Sequence, residues 1–200
     1  MQVSEAIESR RAIKQFDPDH TLSEAEQDRL IELAMKSPTA FNLQHWRFVV
    51  VRDPVQRQAI REVAWDQAQV TDASMLIILC GRRDVWQRDA ERVWRDAPDE
   101  VREMMRGAID AYYRDKPQVE RDEVMRSCGI AGQTLMLAAR EMGLDSCPMD
   151  GFDFDAVGRL IGLPDDHVIS FMVAIGRKAA DVWPRPGQLG LDDVRLIDRF

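Results

Sequence analysis

No apolar run in this sequence approaches the roughly 20 residues needed to cross a bilayer. The N-terminus, Met1-Gln2-Val3-Ser4-Glu5, lacks the basic-then-apolar order of a secretory leader. Cysteine is scarce. Cys80, Cys128 and Cys147 are odd in number and widely spaced, which argues against a disulfide frame and for reduced thiols in a cytoplasmic protein. His20, His45 and His167 stand far apart, with no His-x-x-x-His or Cys-x-x-Cys spacing to hold a metal. There is no Gly-x-Ser-x-Gly elbow and no Gly-x-x-x-x-Gly-Lys phosphate loop. No Gly-x-Gly-x-x-Gly follows a strand, so a Rossmann dinucleotide site is not supported. Positive charge is also short: the formal net charge is -8, which argues against nucleic acid or an anionic membrane as the main partner.

What is present is globular. Hydrophobic content of 45% and charged content of 31% over 200 residues suit one domain with a full core. No repeat or linker divides the chain, so residues 1–200 read as a single domain. The organising stretch is Ser37-Pro38-Thr39-Ala40-Phe41-Asn42-Leu43-Gln44-His45-Trp46-Arg47-Phe48-Val49-Val50-Val51. Pro38 stops a helix, Thr39, Asn42 and Gln44 supply polar groups, and Phe48 to Val51 reads as a buried strand. A polar loop between two rigid elements is a favoured place for binding residues.

Around it, Val3, Ala6 and Ile7 have helical spacing, ending near Arg10-Arg11. Ser23-Glu24-Ala25-Glu26 is a capping box that starts a helix reaching about Lys36. Asp53-Pro54 is an N-cap with proline at the first helical position, and that helix runs to about Val63. Ala73 to Cys80 reads as a second buried strand. Residues 82–116 read as outer helices broken at Pro98. The longest helical pattern covers 120–142, with Val124, Cys128, Ala131, Leu135 and Met142 on one face and Met125, Gly129, Gly132 and Met136 on another. A helix apolar on two faces is expected to lie between two partners. Cys147 to Phe152 reads as a non-helical turn, Asp153 as the cap of a helix to Leu160, and Val168 to Ile175 as a third buried strand. The tail from Trp183 to Phe200 has too few apolar residues to fold alone and is expected to lie on another surface, such as that of a second subunit. The class is α+β, with helices flanking a central sheet.

Arg10, Arg11 and Lys14 cluster at a helix end in an acidic chain, with Arg185 in the tail. Such residues suit a phosphate and equally suit a solvated helix C-terminus. Three strings then bear together: Arg10-Arg11-Ala12-Ile13-Lys14; Ser37-Pro38-Thr39-Ala40-x-Asn42-x-Gln44-x-Trp46-x-Phe48; and Gly143-Leu144-x-x-Cys147-Pro148-Met149-x-Gly151-Phe152. In order and spacing they resemble the nitroreductase family of flavin-dependent NAD(P)H oxidoreductases, from about residue 5 to 190.

The resemblance implies a mostly antiparallel sheet in an intertwined homodimer with C-terminal arm exchange (residues 183–200), and FMN at the subunit interface. It implies NADH or NADPH as donor, and ping-pong hydride transfer through flavin N5 to nitroaromatic, quinone or related acceptors. Carried over by residue, Arg10 and Arg11 face the phosphate and Lys14 the pyrimidine edge, where it stabilises reduced flavin. Pro38, Thr39, Ala40 and Asn42 come from the other subunit. Gln69 reaches the flavin O2 side. Pro148, Met149, Asp150 and Gly151 lie along the opposite ring face, and Arg185 closes over the phosphate. Two departures weaken the phosphate site: Ala12 stands where the family usually has serine, and Gln188 falls where the tail is usually basic. Phe41 reads equally as a wall of the acceptor pocket and as a core aromatic, and Trp94, Tyr112 and Tyr113 share that ambiguity. Other outcomes on this scaffold are a dehalogenase, an enal reductase, a flavin-fragmenting enzyme or a non-catalytic flavin-binding module.

Overall fold

Local signals become elements in chain order in the computed structural model, which describes residues 1–200. Helix α1 (Val3–Ser9) is followed by α2 (Glu24–Ala34), whose capping box forms: Ser23 Oγ accepts from the Glu26 N–H, and Glu26 accepts from the Ser23 N–H. A single 3-10 turn (Ala40–Asn42) leads into β1 (Trp46–Val51). Asp53 caps α3 (Pro54–Glu62) by accepting from the Val55 N–H, with Pro54 at the first position. Then come α4 (Gln69–Asp72), β2 (Met75–Arg82), α5 (Val85–Arg88), α6 (Ala90–Val93) and α7 (Asp99–Tyr113), the last starting directly after Pro98. The long helix α8 (Pro117–Glu141) begins on a proline and stops before Gly143, whose φ of 77° is left-handed. The chain closes with β3 (Asp145–Met149), α9 (Phe154–Leu160), β4 (His167–Gly176) and α10 (Leu191–Val194).

The four strands form one antiparallel sheet in the order β1-β2-β4-β3. β2 is central and almost wholly buried, and its side chains divide by alternation. Leu76, Ile78 and Cys80 join a core with Ile13, Phe16, Ile60, Val70 and Val157. Met75, Ile77 and Leu79 join a second core with α2 and the Val124, Cys128, Ala131 and Leu135 face of α8. The result is a sheet covered by helices on both faces, the α+β arrangement the sequence leads to.

One reading is corrected. Cys147 to Met149, expected in a turn with residues 150–152, belong to a strand that covers residues 145–149. Pro148 hides it, because proline cannot donate to a ladder; the strand survives because β3 is at the sheet edge. The second face of α8 is only partly covered within the chain. Gly132 and Met136 are buried, and Gly132 lies so close under the Phe171 ring that a Cβ would overlap it. Gly129 is open, with nothing within 4 Å of where a Cβ would stand, and Ile130 beside it is exposed.

Beneath the Ser37–His45 loop lies a buried polar chain. His45 Nδ1 sits 3.0 Å from Ser127 Oγ, and its Nε2 sits 3.3 Å from the Tyr113 hydroxyl. Burial pushes the His45 imidazole down to about 4, the nearby Glu123 charge opposing only in part, so it is neutral at ordinary pH. The folded pKa lies below the unfolded 6.5, so unfolded chains take up protons first as pH falls. His45 therefore contributes stability that is complete above pH 6.5 and is lost between 6.5 and about 4. The loss amounts to on the order of 3 kcal/mol. Urea unfolding of wild type and His45→Gln across that window should converge toward acid pH; parallel curves would contradict the assignment.

Candidate functional site

Arg10 leaves helical geometry at the end of α1 (ψ 132°). The chain then runs beside the outer edge of β3. Ala12 bridges Ser146 in parallel, and the Ile13 N–H donates to the Ser146 carbonyl at 3.0 Å. Ile13 and Phe16 are anchored in the core, so Ala12, Lys14 and Gln15 are turned outward. The tail crosses this segment. Arg185 donates to the carbonyls of Glu8 (3.2 Å) and Arg10 (3.1 Å), and Arg11 donates to the Trp183 carbonyl at 2.5 Å. Arg11 to Gln15 and parts of Ala180 to Pro186 line a cleft of about 420 Å³. Arg10 Nη1 is enclosed yet has no hydrogen-bond partner.

The end of β3 supplies the next group. Met149 is buried, so only its backbone is available to a ligand, whereas Asp150 is exposed. The Asp150 and Gly151 N–H groups donate to no backbone acceptor. Gln69 does not face outward: it is buried, and its Nε2 donates to Gln67 Oε1 at 2.9 Å. Gln67 in turn donates to the Gly151 carbonyl at 3.0 Å. Gln67 is therefore the glutamine that meets Gly151, a residue that sequence reasoning passes over. Two glutamines two positions apart, ahead of a short helix, offer no periodicity to choose between them.

The Pro38–Asn42 loop is a separate construction. Phe41, Asn42 and Gln44 have φ of 52°, 56° and 53°, left-handed geometry that costs a non-glycine residue roughly 1–2 kcal/mol each. Several bonds hold it. Thr39 Oγ1 accepts from the Gln44 N–H at 2.9 Å, Trp94 Nε1 donates to the Phe41 carbonyl at 2.8 Å, and Asn42 Nδ2 donates to the Val93 carbonyl at 3.3 Å. Below it, Ser37 Oγ donates to Thr134 Oγ1 at 2.9 Å. Pro38 and Asn42 stay exposed, with Thr39 and Ala40 half-buried. The half-buried Phe41 ring packs 5.4 Å from Tyr112 and 6.2 Å from Tyr113, and Trp94 joins the same satellite core.

The structure thus brings together Arg10, Arg11, Ala12, Lys14, Pro148 to Gly151, Gln67, Gln69 and Arg185, but not Pro38 to Asn42. The basic segment pairs with the outer edge of β3, which carries Pro148 and Met149, and Gln67 reaches Gly151 just past that strand; the loop enters β1 at the opposite edge of the sheet. Four strand spacings separate the two edges, roughly 19 Å. Within one chain the two sets of residues therefore lie apart.

The cysteines add no nucleophile. Burial pushes the Cys80 and Cys128 thiols up to about 12. Cys147 is raised by burial too, with Lys14 and Arg10 nearby opposing the rise.

A family model described as the nitroreductase family matches residues 7–177. Protein DrgA of Synechocystis is 51% identical over 181 residues, covering 90% of this chain and 86% of its own length. A Thermus thermophilus protein named NADH dehydrogenase is 33% identical over 182 residues, covering 88% and 86%. A protein of Exiguobacterium sibiricum, solved in complex with FMN, superposes with a TM-score of 0.91 at 25% identity over 98% of this chain and 97% of its own. By sequence and by fold, the chain belongs to the nitroreductase family.

Proposed function

We propose that this chain is an FMN-dependent NAD(P)H oxidoreductase that works as a homodimer. The observation that carries the reading is the enclosed Arg10 Nη1 without a partner, set among Arg11, Lys14 and Arg185. A buried donor left unsatisfied costs roughly 1–3 kcal/mol. A phosphate removes that cost through charge-assisted bonds. The FMN held by the Exiguobacterium sibiricum relative supports the same ligand here.

The residues present fit FMN. Arg10, Arg11 and Arg185 hold the phosphate, although Ala12 offers it no hydroxyl. Lys14 meets the pyrimidine edge, with Gln69 oriented behind Gln67. Pro148, Met149, Asp150 and Gly151 border one ring face, and the free N–H groups of Asp150 and Gly151 are available to ring acceptors. Pro38, Thr39, Ala40 and Asn42 complete the site from a second copy of the chain, a reading that the separation of the two sets of residues within one chain supports. The uncovered Gly129 and Ile130 on α8 and the outward apolar groups of residues 183–200 support the same assembly. Trp183, Leu191, Ile197 and Phe200 are exposed in the single chain, and burying each against a partner contributes about 1.5–3 kcal/mol. Residues 1–200 act as one domain, with 183–200 as the exchanged arm.

Bound FMN supplies the redox chemistry, taking a hydride at N5 from NADH or NADPH and passing it to a nitro, quinone or related acceptor in ping-pong order. Lys14 contributes a fixed positive charge where negative charge develops on reduction. Asn42 and the strained loop around it are held before any ligand arrives, so little reorganisation is needed on binding.

Two outcomes test this reading. Arg10→Ala should weaken FMN binding about ten- to a hundredfold in a fluorescence titration of the apoprotein; unchanged affinity would contradict the phosphate role. Lys14→Met, at full FMN occupancy, should slow anaerobic reduction by NADH in a single turnover, and an unchanged rate would remove Lys14 from the chemistry. A yellow protein that neither NADH nor NADPH bleaches would make the chain a binding module instead.

A further inference from the structure

Gln67 is half-buried, and both ends of its side chain are engaged. Its Nε2 donates to the Ala64 carbonyl at 3.1 Å and to the Gly151 carbonyl at 3.0 Å, and its Oε1 accepts from Gln69 Nε2 at 2.9 Å. Only the nitrogen end of a carboxamide can face two carbonyls, so this amide has one orientation and its oxygen must point at Gln69. The backbone around it is held as well. The turn before Gln67 places Trp65 and Asp66 at φ of 54° and 51°, left-handed positions that persist only when their surroundings impose them. Arg61 imposes them: its Nε meets Asp66 Oδ1 at 2.6 Å, and its carbonyl accepts the Asp66 N–H at 3.2 Å. The Gly151 end is fixed by the buried Phe152 and by the Asp153 N–H, which donates to the Val63 carbonyl at 2.9 Å.

Gln69 inherits this order. With one N–H given to Gln67, it keeps its second N–H and its Oε1. Gln69 is 3% exposed, and its Oε1 neither takes a hydrogen bond within the chain nor is fully enclosed. The pyrimidine edge of a flavin presents an acceptor, O2, beside a donor, N3–H. A carboxamide complements that pair in one orientation; turned over, it sets oxygen against oxygen and N–H against N–H. Gln67 decides which of the two Gln69 adopts.

We propose that Gln67 is a positioning residue of the flavin site, acting through Gln69, whose carboxamide it holds in the orientation that complements the pyrimidine edge. The inference rests on the FMN reading above and deepens it. Reduction concentrates negative charge toward N1 and O2, so an N–H held on O2 favours reduced over oxidised FMN. Gln67 therefore contributes to the reduction potential and not to affinity alone.

The test measures the midpoint potential of the FMN-loaded protein by anaerobic dye titration. Gln67→Met removes the three side-chain hydrogen bonds at similar volume. It should lower the potential by about 15–30 mV, a roughly three- to tenfold loss of preference for reduced FMN. Gln67→Asn keeps an amide but is one methylene shorter and cannot span from Gly151 to Gln69, so it should shift the potential in the same direction. In a Gln69→Met background, Gln67→Met should add less than about a third of its shift in wild type, because the group it orients is gone. A potential unchanged in both Gln67 variants would overturn the proposal, even if FMN bound more weakly, by making Gln67 a structural residue only. A shift as large in the Gln69→Met background as in wild type would also overturn it. A wild-type protein that takes up no FMN defeats the underlying cofactor reading, whereas an FMN-loaded protein whose potential ignores Gln67 defeats this inference alone.

Discussion

The pairing of residues 12–13 with the outer edge of β3 is the constraint on which the rest depends. It fixes the basic segment as an extra, irregular strand beyond one end of the sheet. Ile13 and Phe16 anchor it in the core, and alternation then turns Ala12 and Lys14 outward. The polar loop that carries Asn42 enters the sheet at the other end, through β1. Because strand spacing is set by hydrogen-bond geometry, no side-chain rearrangement within one chain closes that gap. Sheet order thus keeps the basic segment and the Asn42 loop apart within one chain, which is the ground for the proposed site shared between two copies.

Each half-site is stabilised from behind by a different means. The basic half uses the tail, whose Arg185 bonds the end of α1 and whose backbone accepts from Arg11. The polar half uses the variable helices. Trp94 and Val93 hold Phe41 and Asn42 in left-handed geometry, and the buried His45, Ser127 and Tyr113 chain ties the loop base to α7 and α8. Charge-poor packing and neutral hydrogen bonds do this work on one side, and charged groups do it on the other.

Much of the fold was legible in the sequence because its signals are local. The Ser23 box, the Asp53-Pro54 start and the Asp153 cap each act within four residues and appear where the residues say. β3 was not legible, because an edge strand with a proline at its fourth position lacks both alternation and donors. The second face of α8 was legible as apolar, and the single chain leaves Gly129 and Ile130 on it uncovered. The basic cluster could be read from charge and spacing, but its placement beside β3 could not, since Ala12 and Ser146 are far apart in sequence. Gln69 was named from the family resemblance alone; the structure buries it behind Gln67, which donates to the Gly151 carbonyl. Strain at Phe41 and Trp65 was invisible, because no glycine marks either site and only the finished contacts show what imposes it.

The most direct test of the shared site is complementation between two defective copies. Arg10→Ala with Lys14→Met disables the basic half, and Asn42→Ala with Thr39→Ala disables the polar half. Each homodimer should be inactive with NADH and a quinone. Random mixing of the two chains makes about half of the dimers mixed, each with one intact site, so about a quarter of wild-type activity should return. If the mixture stays as inactive as its parents while mixed dimers are shown to form, the site is not built from two chains.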